Sequence, residues 1–526
     1  MNKQVWRAGL IVAFVTAVAG SAVFAAAAPA PAKEPAKAAA PAAPAHQELF
    51  WPELWQTLHN PAPWLSMGLD HRFRIEAGEN WQTLNDDARD AQGRKTDDWL
   101  YQRYRTRWWT KWKVNEDISL NTRLVWEFRT WQQPDGRTHI LNPAFAADRP
   151  RVTEFNPDEA LFDWFNVNIR NIGGTPLGAT LGRQDMMFGV GWLVLDGTPL
   201  DGSRTVGAFD AARFTYDWGD TNTKIDVAYI NQEARRTGIL KPLGDKRRGV
   251  TEQDEHAGIF YLTNTSWKPV QLEGFLIYKN DNPIDEQLSN FPYGWSRKAE
   301  TFTLGAAVAG TQGDHWKYRA EGAIQRGTRT ANLPNIGGGA PTNPFFGLGD
   351  VGAERDIVAY GTLSTLEYQF KDPHDHATHV TYEYASGDDP GTQGTDEQFD
   401  LLWGEWPRWS ELLIYTYSYE TQISSTTNLH RLNVGHRFNI NKQWSLTGDY
   451  HALWADKNTP TTDPRIATSS ANRFRGHLLT SWLRYKFSEQ LYGHFLAEYF
   501  FNANSYYVAP SDDNAYFLRF NVEYIF

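Results

Sequence analysis

In each of three early stretches of the sequence, the arginine residues are separated from one another by an even number of positions. The residues concerned are Arg72, Arg74, Arg103, Arg105, Arg107, Arg123 and Arg129. A guanidinium group stays charged at physiological pH, and its planar fork binds a carboxylate through two parallel hydrogen bonds. A row of such groups in a water-filled passage would select anions over cations. These seven arginines are therefore the candidate path for an anionic solute.

Acidic residues at equivalent alternating positions allow another interpretation of these arginines. Asp70, Glu76 and Glu127 fall in the same three stretches, where the seven arginines outnumber them. Pairs of arginine and carboxylate would stiffen a protein wall without contacting any solute, and this explanation suits half or more of the inward arginines. Later stretches contain further arginines at the alternating positions expected to face inward: Arg213, Arg319, Arg431, Arg437, Arg484 and Arg519.

Residue patterns of enzymes and metal sites are weak in this chain. The sequence lacks the His-Glu-x-x-His zinc motif, the Gly-x-Ser-x-Gly turn of serine hydrolases, and cysteine. His374, His376 and His379 suit a solvated turn better than a metal site. The acids of one later loop would also suit a bound Ca²⁺; they are Asp388, Asp389, Asp396 and Glu397. We expect no enzymatic activity and no cofactor, with a loop Ca²⁺ as the one candidate ion.

The elements that must position these residues are β-strands. From Leu69 to the C-terminus, charged residues on one parity oppose apolar residues on the other, as strands require. About eighteen such stretches alternate between short and long connections. The sequence predicts an all-β fold, an antiparallel up-and-down transmembrane barrel with long outer loops and short periplasmic turns. In its largest loop, 387–427, four residues are expected to fold back into the barrel mouth: Trp403, Trp406, Trp409 and Leu412.

Composition favours the same fold. Charged residues make up 21% of the chain and its mean hydropathy is −0.55, yet it contains 23 Trp and 23 Tyr. A helical membrane protein would need about 20 consecutive apolar residues for each span. A barrel reconciles polarity with aromatic content, because alternate residues face a wet lumen and aromatic girdles mark the membrane interfaces. The net charge of −11 argues against a nucleic-acid partner.

The ends of the chain predict its location. Lys3 and Arg7 precede an apolar stretch, which is typical of a cleaved signal peptide over residues 1–25, with an uncleaved anchor as the alternative. Residues 26–59, Ala- and Pro-rich at first, predict a periplasmic linker, and residues 60–526 the barrel. The chain ends in alternating apolar residues from Tyr516 to Phe526, like a final barrel strand. We expect it in the bacterial outer membrane, with the lipid bilayer as a partner.

One central segment resembles a known family. Leu181-Gly182-Arg183-Gln184-Asp185 leads into a glycine-containing loop, followed by Arg204, Phe209-Asp210 and Arg213, and Tyr384–Asp389 reads Tyr-Ala-Ser-Gly-Asp-Asp. These motifs resemble those of the alginate export family. The resemblance implies an eighteen-stranded barrel whose arginine-lined pore passes a polyuronate, with periplasmic scaffold proteins as partners. We expect the motif residues to brace the loop over the pore: Arg183, Gln184, Arg204, Asp210 and Arg213.

Three functions remain open at the level of sequence. The first is a passive channel that exports an anionic polysaccharide, such as an alginate-like polyuronate. The second is a porin for the uptake of small anionic solutes. The third, from another class, is a structural or adhesive barrel whose aromatic loops bind surface glycans. Conductance that depends on the inward arginines would distinguish the channels from the adhesive barrel.

Overall fold

The computed structural model describes residues 52–89, 93, 95, 97–133, 160–196, 209–233, 240, 253–282, 298–330, 354–404, 407–420, 426–458 and 466–525. The predicted signal peptide, residues 26–51 of the predicted linker, Arg204, Trp406 and Phe526 lie outside these residues. The last eight residues of the predicted linker form a helix, α1 (Pro52–His59). Among the described residues, no helix has the length and apolarity to cross a membrane.

Within the described residues, eighteen long strands form one closed antiparallel barrel. They are β1 Leu65–Glu79, β2 Trp99–Lys113, β3 Ile118–Gln133, β4 Leu161–Ile169, β5 Leu177–Gln184, β6 Phe209–Trp218, β7 Thr223–Gln232, β8 Asp254–Asn264, β9 Val270–Asn282, β10 Lys298–Gln312, β11 Trp316–Thr330, β12 Glu354–Gln369, β13 Ala377–Ala385, β14 Leu429–Asn439, β15 Trp444–Trp454, β16 Phe474–Lys486, β17 Leu491–Asn502 and β18 Ala515–Ile525. Each strand pairs with its neighbours in sequence, and β18 closes the barrel on β1. The predicted fold and strand number are confirmed.

Alternation along each strand explains why these segments form a barrel wall. In β2, Arg103, Arg105 and Arg107 are buried on the inward face, whereas the neighbouring Trp108 is 51% exposed. On the outward face near the short turns, the rings of Trp64 and Trp112 stack with their centroids 5.5 Å apart. Outward aromatic residues at this level are typical of the girdle at a membrane interface.

Short turns and long connections lie at opposite ends of the barrel. Consecutive strands are joined at one end by short turns such as 114–117, 219–222 and 313–315, and the described chain enters and leaves the barrel at this end. In outer-membrane barrels the short turns are periplasmic. The other end carries the long connections, which places them outside the cell.

Two long connections fold into the lumen instead of remaining outside. We call residues 185–196 the small inward loop and the described residues 386–404, 407–420 and 426–428 the large inward loop; the latter contains a helix, α2 (Leu412–Glu420). Trp403 is 5% exposed and Leu412 is fully buried, and Trp409 packs against the same apolar cluster as Leu412. The prediction that this loop folds back into the barrel is confirmed for these three residues.

Candidate functional site

Arginines of β1, β2 and β3 lie beside one another on the inward face of the wall. In the register of β1 and β2, Arg72 lies opposite Arg105, and Arg74 lies opposite Arg103. Arg103 in turn lies opposite Arg129 on β3. Like charges at directly opposed cross-strand positions repel each other, so this part of the wall requires counter-charges.

Carboxylates from neighbouring strands supply these counter-charges. The Glu127 carboxylate accepts hydrogen bonds from Nη2 of Arg72 at 3.1 Å and from Nε of Arg103. Nη2 of Arg105 donates to Glu523 at 3.2 Å, and Glu523 comes from the closing strand β18. Arg72, Arg103 and Glu127 have no exposed surface. These arginines are therefore components of a buried ion-pair network.

Arg107 and Arg74 belong to the same buried wall. Nε of Arg107 donates to Asp70 at 2.6 Å, and Nε of Arg74 donates to Oδ1 of Asn521 at 2.7 Å. Both arginines are at most 6% exposed. Asn521 also comes from β18, so the first and last strands are joined by side chains as well as by their backbones.

The last two predicted path residues lie on β3. Arg123 forms two hydrogen bonds with Asp163 of β4, at 2.8 and 2.7 Å, and its guanidinium lies 3.8 Å from the ring centroid of Trp164. The guanidinium of Arg129, which is half-buried, lies 5.6 Å from the ring centroid of Tyr101. The structure thus brings all seven predicted arginines to the inward face and buries six of them.

The family-like motif joins β5 to β6 at the end of the barrel with the long loops. Arg183 donates two hydrogen bonds to Asp210, at 2.8 and 2.9 Å. The Gln184 amide donates to backbone carbonyls, among them that of residue 211 at 3.1 Å. Arg213 lies farther along β6 and donates to Asp226 at 2.7 Å. Bracing of the outer loop by this motif stays a prediction, and Arg204 lies outside the described residues.

The glycine at the start of this motif is required by the close approach of two strands. Gly182 has a φ of +113°, and a Cβ atom there would lie 2.4 Å from the backbone oxygen of Phe165 on β4. Any side chain at this position would push β4 and β5 apart. The start of the Gly-Arg-Gln motif is therefore explained by backbone packing.

The large inward loop crosses the lumen between opposite walls. Nε1 of Trp403 donates to Glu255 on β8 at 2.9 Å, and Oγ of Ser410, seven residues later, donates to Glu498 on β17 at 2.6 Å. β17 is nine positions from β8 around the eighteen-stranded barrel, which is half of the circumference. Seven residues can extend about 25 Å at most. The described residues of this stretch, 403–404 and 407–410, which we call the crossing segment, therefore reach opposite walls of the lumen.

The small inward loop supports the crossing segment from one side. The backbone N–H groups of Trp403 and Gly404 donate to the carbonyl of Leu193 at 3.1 and 3.2 Å. The rings of Trp192 and Phe399 stack with their centroids 5.5 Å apart. A Cβ atom on Gly404 would lie 1.8 Å from the backbone oxygen of Trp192, so the two loops meet at a contact that only glycine permits.

Helix α2 ties the other end of the large inward loop to the wall. Glu420, at the end of α2, pairs with Arg475 of β16 and accepts hydrogen bonds from the hydroxyls of Tyr506 and Tyr507 at 2.8 and 2.5 Å. Oγ1 of Thr416 donates to the carbonyl of Trp81 at 2.8 Å. These groups are buried, so the loop is anchored on both sides of the barrel.

A cavity of about 600 Å³ lies between the crossing segment and the short-turn ends of β11 to β16. Its cationic lining residues are Lys317, Arg319, Arg408, Arg431, Arg437 and Arg484. The lining contains fewer acids, namely Glu367, Glu383 and Asp449. The excess of positive charge favours an anionic occupant over a cationic one.

Arg408 is a lumen residue that the sequence analysis missed. It lies on the crossing segment and is exposed, and its Nη1 donates to the carbonyl of Val190 on the small inward loop. The alternation of inward and outward residues along a strand identified Arg319 and Arg431, because both lie on strands. Residues of a loop do not alternate in this way, so the only signal near Arg408 was the run of tryptophans in loop 387–427.

The acidic outer-loop residues are mostly engaged with basic side chains. Asp388 accepts two hydrogen bonds from Arg355 at 3.0 and 2.8 Å, and Asp389 accepts one from Nζ of Lys457 at 2.6 Å. Burial and the nearby Asp396 raise the pKa of Asp388 to about 6. Within the described part of the chain, no group of three or more His, Asp or Glu residues has metal-site geometry. The loop Ca²⁺ stays an untested prediction.

Comparison with known proteins places this barrel in a family. The family model described as alginate export matches residues 63–484. The solved Acinetobacter baumannii OccAB2 has a TM-score of 0.51 and 9% identity, covering 88% of this chain and 98% of its own. OccAB1 of the same organism has the same score and identity, with 88% and 96% covered. A search of the curated proteins finds no match. Since the family match spans most of a closed eighteen-stranded barrel, this chain belongs to the alginate export family and is a channel of the bacterial outer membrane.

Proposed function

We propose that this channel exports an anionic polysaccharide, a polyuronate similar to alginate, by passive diffusion down its gradient. The observation that carries this proposal is the cavity beneath the crossing segment, where cations outnumber acids and Arg408 is exposed. Attraction of the polymer must be weak and spread over several sites, because tight binding would block flux. No covalent chemistry is required for such transport.

The seven inward arginines of β1 to β3 have a particular part in this proposal. Because most of them are buried and paired, we assign them an electrostatic role rather than direct contact with the polymer. An excess of arginine behind a narrow passage raises the local concentration of anions. Direct contact falls to exposed groups such as Arg408 and Arg484. Periplasmic scaffold proteins of a secretion complex are proposed partners on the short-turn side.

Ion selectivity of the purified full-length chain in a planar bilayer tests the proposal. We expect permeability to chloride to exceed permeability to potassium by about threefold or more, since rings of arginine select anions. The variant Arg408→Glu should reduce this ratio, whereas Arg326→Glu should not, because Arg326 lies on the outward face beside Tyr360. Cation selectivity in the unaltered chain would refute the proposal.

Uptake of small anionic solutes is a second candidate, favoured by one observation. The crossing segment spans the lumen, and a narrowed lumen suits small solutes better than a polymer. Reconstituted vesicles loaded on one side with monomeric or oligomeric uronates distinguish the candidates. Passage of oligomers of ten or more residues would support export, and passage of monomers alone would support uptake.

A further inference from the structure

Three histidines gather on the outward face of the barrel at its periplasmic end, and we call them the histidine cluster. His374 lies in the turn between β12 and β13, His376 directly precedes β13, and His436 lies on β14. Nδ1 of His376 lies 3.0 Å from Nε2 of His436, and the ring centroids of His374 and His376 are 5.9 Å apart. Val434, on the same face of β14 as His436, is 45% exposed. The cluster therefore faces the lipid and not the lumen.

The histidine cluster lies within an aromatic girdle. The ring of Phe370, which is 46% exposed, has its centroid 6.2 Å from that of His436. The ring centroid of Phe438 lies 4.7 Å from that of His376. Outward aromatic residues beside the short turns mark the interface of a barrel with its membrane. The headgroups of the periplasmic leaflet are therefore the neighbours of these imidazoles.

The contact between His376 and His436 depends on their protons. A neutral imidazole has one donor nitrogen and one acceptor nitrogen, and a charged imidazole has two donors. The two nitrogen atoms 3.0 Å apart must share one hydrogen, so at least one of the two rings is neutral in this arrangement. When both rings are charged, two N–H groups point at each other. Histidine changes its charge between about pH 5 and 8, so acidification turns this pair into two donors that need an acceptor.

His374 adds a further donor on acidification. Its Nδ1 lies 2.9 Å from the backbone oxygen of Asn439. A carbonyl oxygen can only accept, so Nδ1 carries the hydrogen of the neutral ring. The second proton must then bind to Nε2. Because the side chain of His374 is exposed, this added N–H group can reach a molecule outside the protein.

The charges around the histidine cluster leave it cationic in acid. The Asp372 carboxylate lies 3.7 Å from Nε2 of His376 and offsets one positive charge. The other charged or titratable groups described on adjoining elements are two ion pairs, two exposed lysines and a histidine stacked on Tyr368: Asp375 with Arg437, Asp449 with His379, Lys371, Lys442 and His315. Three imidazolium groups therefore exceed the negative charge nearby.

A gap in the outward surface gives access to His436. On β15, Gly448 lies directly opposite His436. A Cβ atom on Gly448 would have no other atom within 4 Å. His436 itself is exposed. An oxygen atom of a neighbouring headgroup can therefore approach the imidazole over the backbone of β15.

We propose that the histidine cluster binds the phosphate group of an anionic phospholipid of the periplasmic leaflet when its imidazoles are protonated, and releases it when they become neutral. Phosphate oxygens supply the acceptors that the facing N–H groups of His376 and His436 then require, and hydrogen bonds between charged partners are the strong ones. The position within the girdle favours a lipid phosphate over free phosphate. This binding concerns the outer surface of the barrel and does not depend on what passes through its lumen.

Native mass spectrometry of the purified full-length chain measures this binding. The protein would be mixed in detergent with phosphatidylglycerol or phosphatidylcholine, with EDTA present, and the lipid retained would be counted at pH 5.5 and pH 7.5. Retention of phosphatidylglycerol should be about fivefold higher at pH 5.5, since a basic group near an anionic membrane contributes about this factor. Zwitterionic phosphatidylcholine should show no such rise.

Three outcomes of this measurement would overturn the proposal. An equal rise for phosphatidylcholine would show that the charge of the lipid has no part in its retention. Displacement of phosphatidylglycerol by millimolar inorganic phosphate would show that the cluster takes free phosphate and not a lipid. A rise that occurs only without EDTA would show that a metal ion, and not the imidazolium groups, holds the lipid.

Two variants and a control locate the binding. His436→Gln removes the central imidazole and should abolish the rise at pH 5.5. Gly448→Leu keeps all three imidazoles but fills the gap beside His436, and should weaken retention severalfold. The control is His477→Gln, near the opposite end of the outward face, where the ring bonds to the hydroxyl of Tyr450 at 2.6 Å; the rise should persist there. An unchanged rise in both His436→Gln and Gly448→Leu, or its equal loss in His477→Gln, would overturn the proposal.

Discussion

Two regions of this barrel use charged residues in opposite ways: the wall formed by β1 to β3 and the large inward loop. In the wall, Arg103 is fully buried and shares Glu127 with Arg72. In the loop, Arg408 is exposed and contacts a backbone carbonyl, with no carboxylate of the described chain in ion-pair range. A guanidinium group that is buried and paired holds strands together, whereas an exposed one can meet a passing anion. The number of inward arginines alone therefore does not locate the site of contact.

The two regions also differ in what anchors them. The wall is held by backbone pairing along whole strands, supplemented by buried ion pairs. The crossing segment is held at its far end mainly by Glu498, whose carboxylate accepts from Oγ of Ser410 and from two backbone N–H groups. We expect wall substitutions to change stability and loop substitutions to change conductance.

The largest expected effect is on wall stability. Glu127→Gln leaves the buried Arg72 and Arg103 without their shared counter-charge. Removing one partner of a buried ion pair costs about 3–5 kcal/mol, and we expect the free energy of unfolding in urea, measured in lipid vesicles, to fall by this amount. Glu489→Gln is the control, because Glu489 pairs with Lys486 at an exposed turn, where the loss should be below about 1 kcal/mol. Equal losses in the two variants would contradict the distinction between wall pairs and surface pairs.

Local pattern in the sequence was sufficient to predict the wall. Because alternate residues of a strand face opposite sides, parity alone places Arg103, Arg105 and Arg107 inside and Trp108 outside, as observed. Parity does not show which inward side chains are covered. The counter-charge of Arg105 is Glu523, 418 residues away, and these two meet only because β18 closes on β1. Burial of the wall arginines is therefore a property of the closed barrel.

The crossing segment was predictable only in part. Its tryptophans suggested that the loop folds back, because large aromatic side chains are costly to leave in water. The position of Arg408 was not predictable, since it depends on Glu498, a strand residue about 90 positions later. It also depends on Gly404, which allows the backbones of the two inward loops to touch. Such contacts have no local signature in either segment.

A medium-sized effect is expected when the anchor of the crossing segment is removed. Glu498→Ala eliminates three hydrogen bonds to a carboxylate, and each bond to a charged group contributes about 1.5–3 kcal/mol. Since 1.4 kcal/mol corresponds to a factor of ten, we expect the open fraction of single channels to rise about tenfold or more. The urea midpoint of the barrel should change little. Glu300→Ala, on the outward face beside Asn280, serves as the control. If Glu498→Ala changed the urea midpoint of the barrel but left the open fraction of the channels unchanged, Glu498 would belong to the wall instead.

The smallest expected effect is a pH dependence of the outer end of the large inward loop. Burial, followed by repulsion from Asp396, raises the pKa of Asp388 to about 6, and hydrogen bonds from Arg355 and from the backbone of Glu397 oppose this rise. A carboxyl group with a raised pKa binds its proton more tightly in the ordered loop than in a displaced one, so protonation favours the ordered loop. Above pH 6 the charged carboxylate destabilises the ordered loop to its full extent, and this destabilisation disappears as pH falls toward 4.

We expect the open fraction of the channels to be about threefold lower at pH 5 than at pH 7.5. The factor is modest because Arg355 and solvent screen the charge of Asp388. Asp388→Asn should flatten this response, whereas Asp217→Asn, at the exposed end of β6 beside a periplasmic turn, should leave it intact. An open fraction that rises on acidification, or the same response in Asp388→Asn, would place the titrating group elsewhere and remove Asp388 from the anchors of the loop.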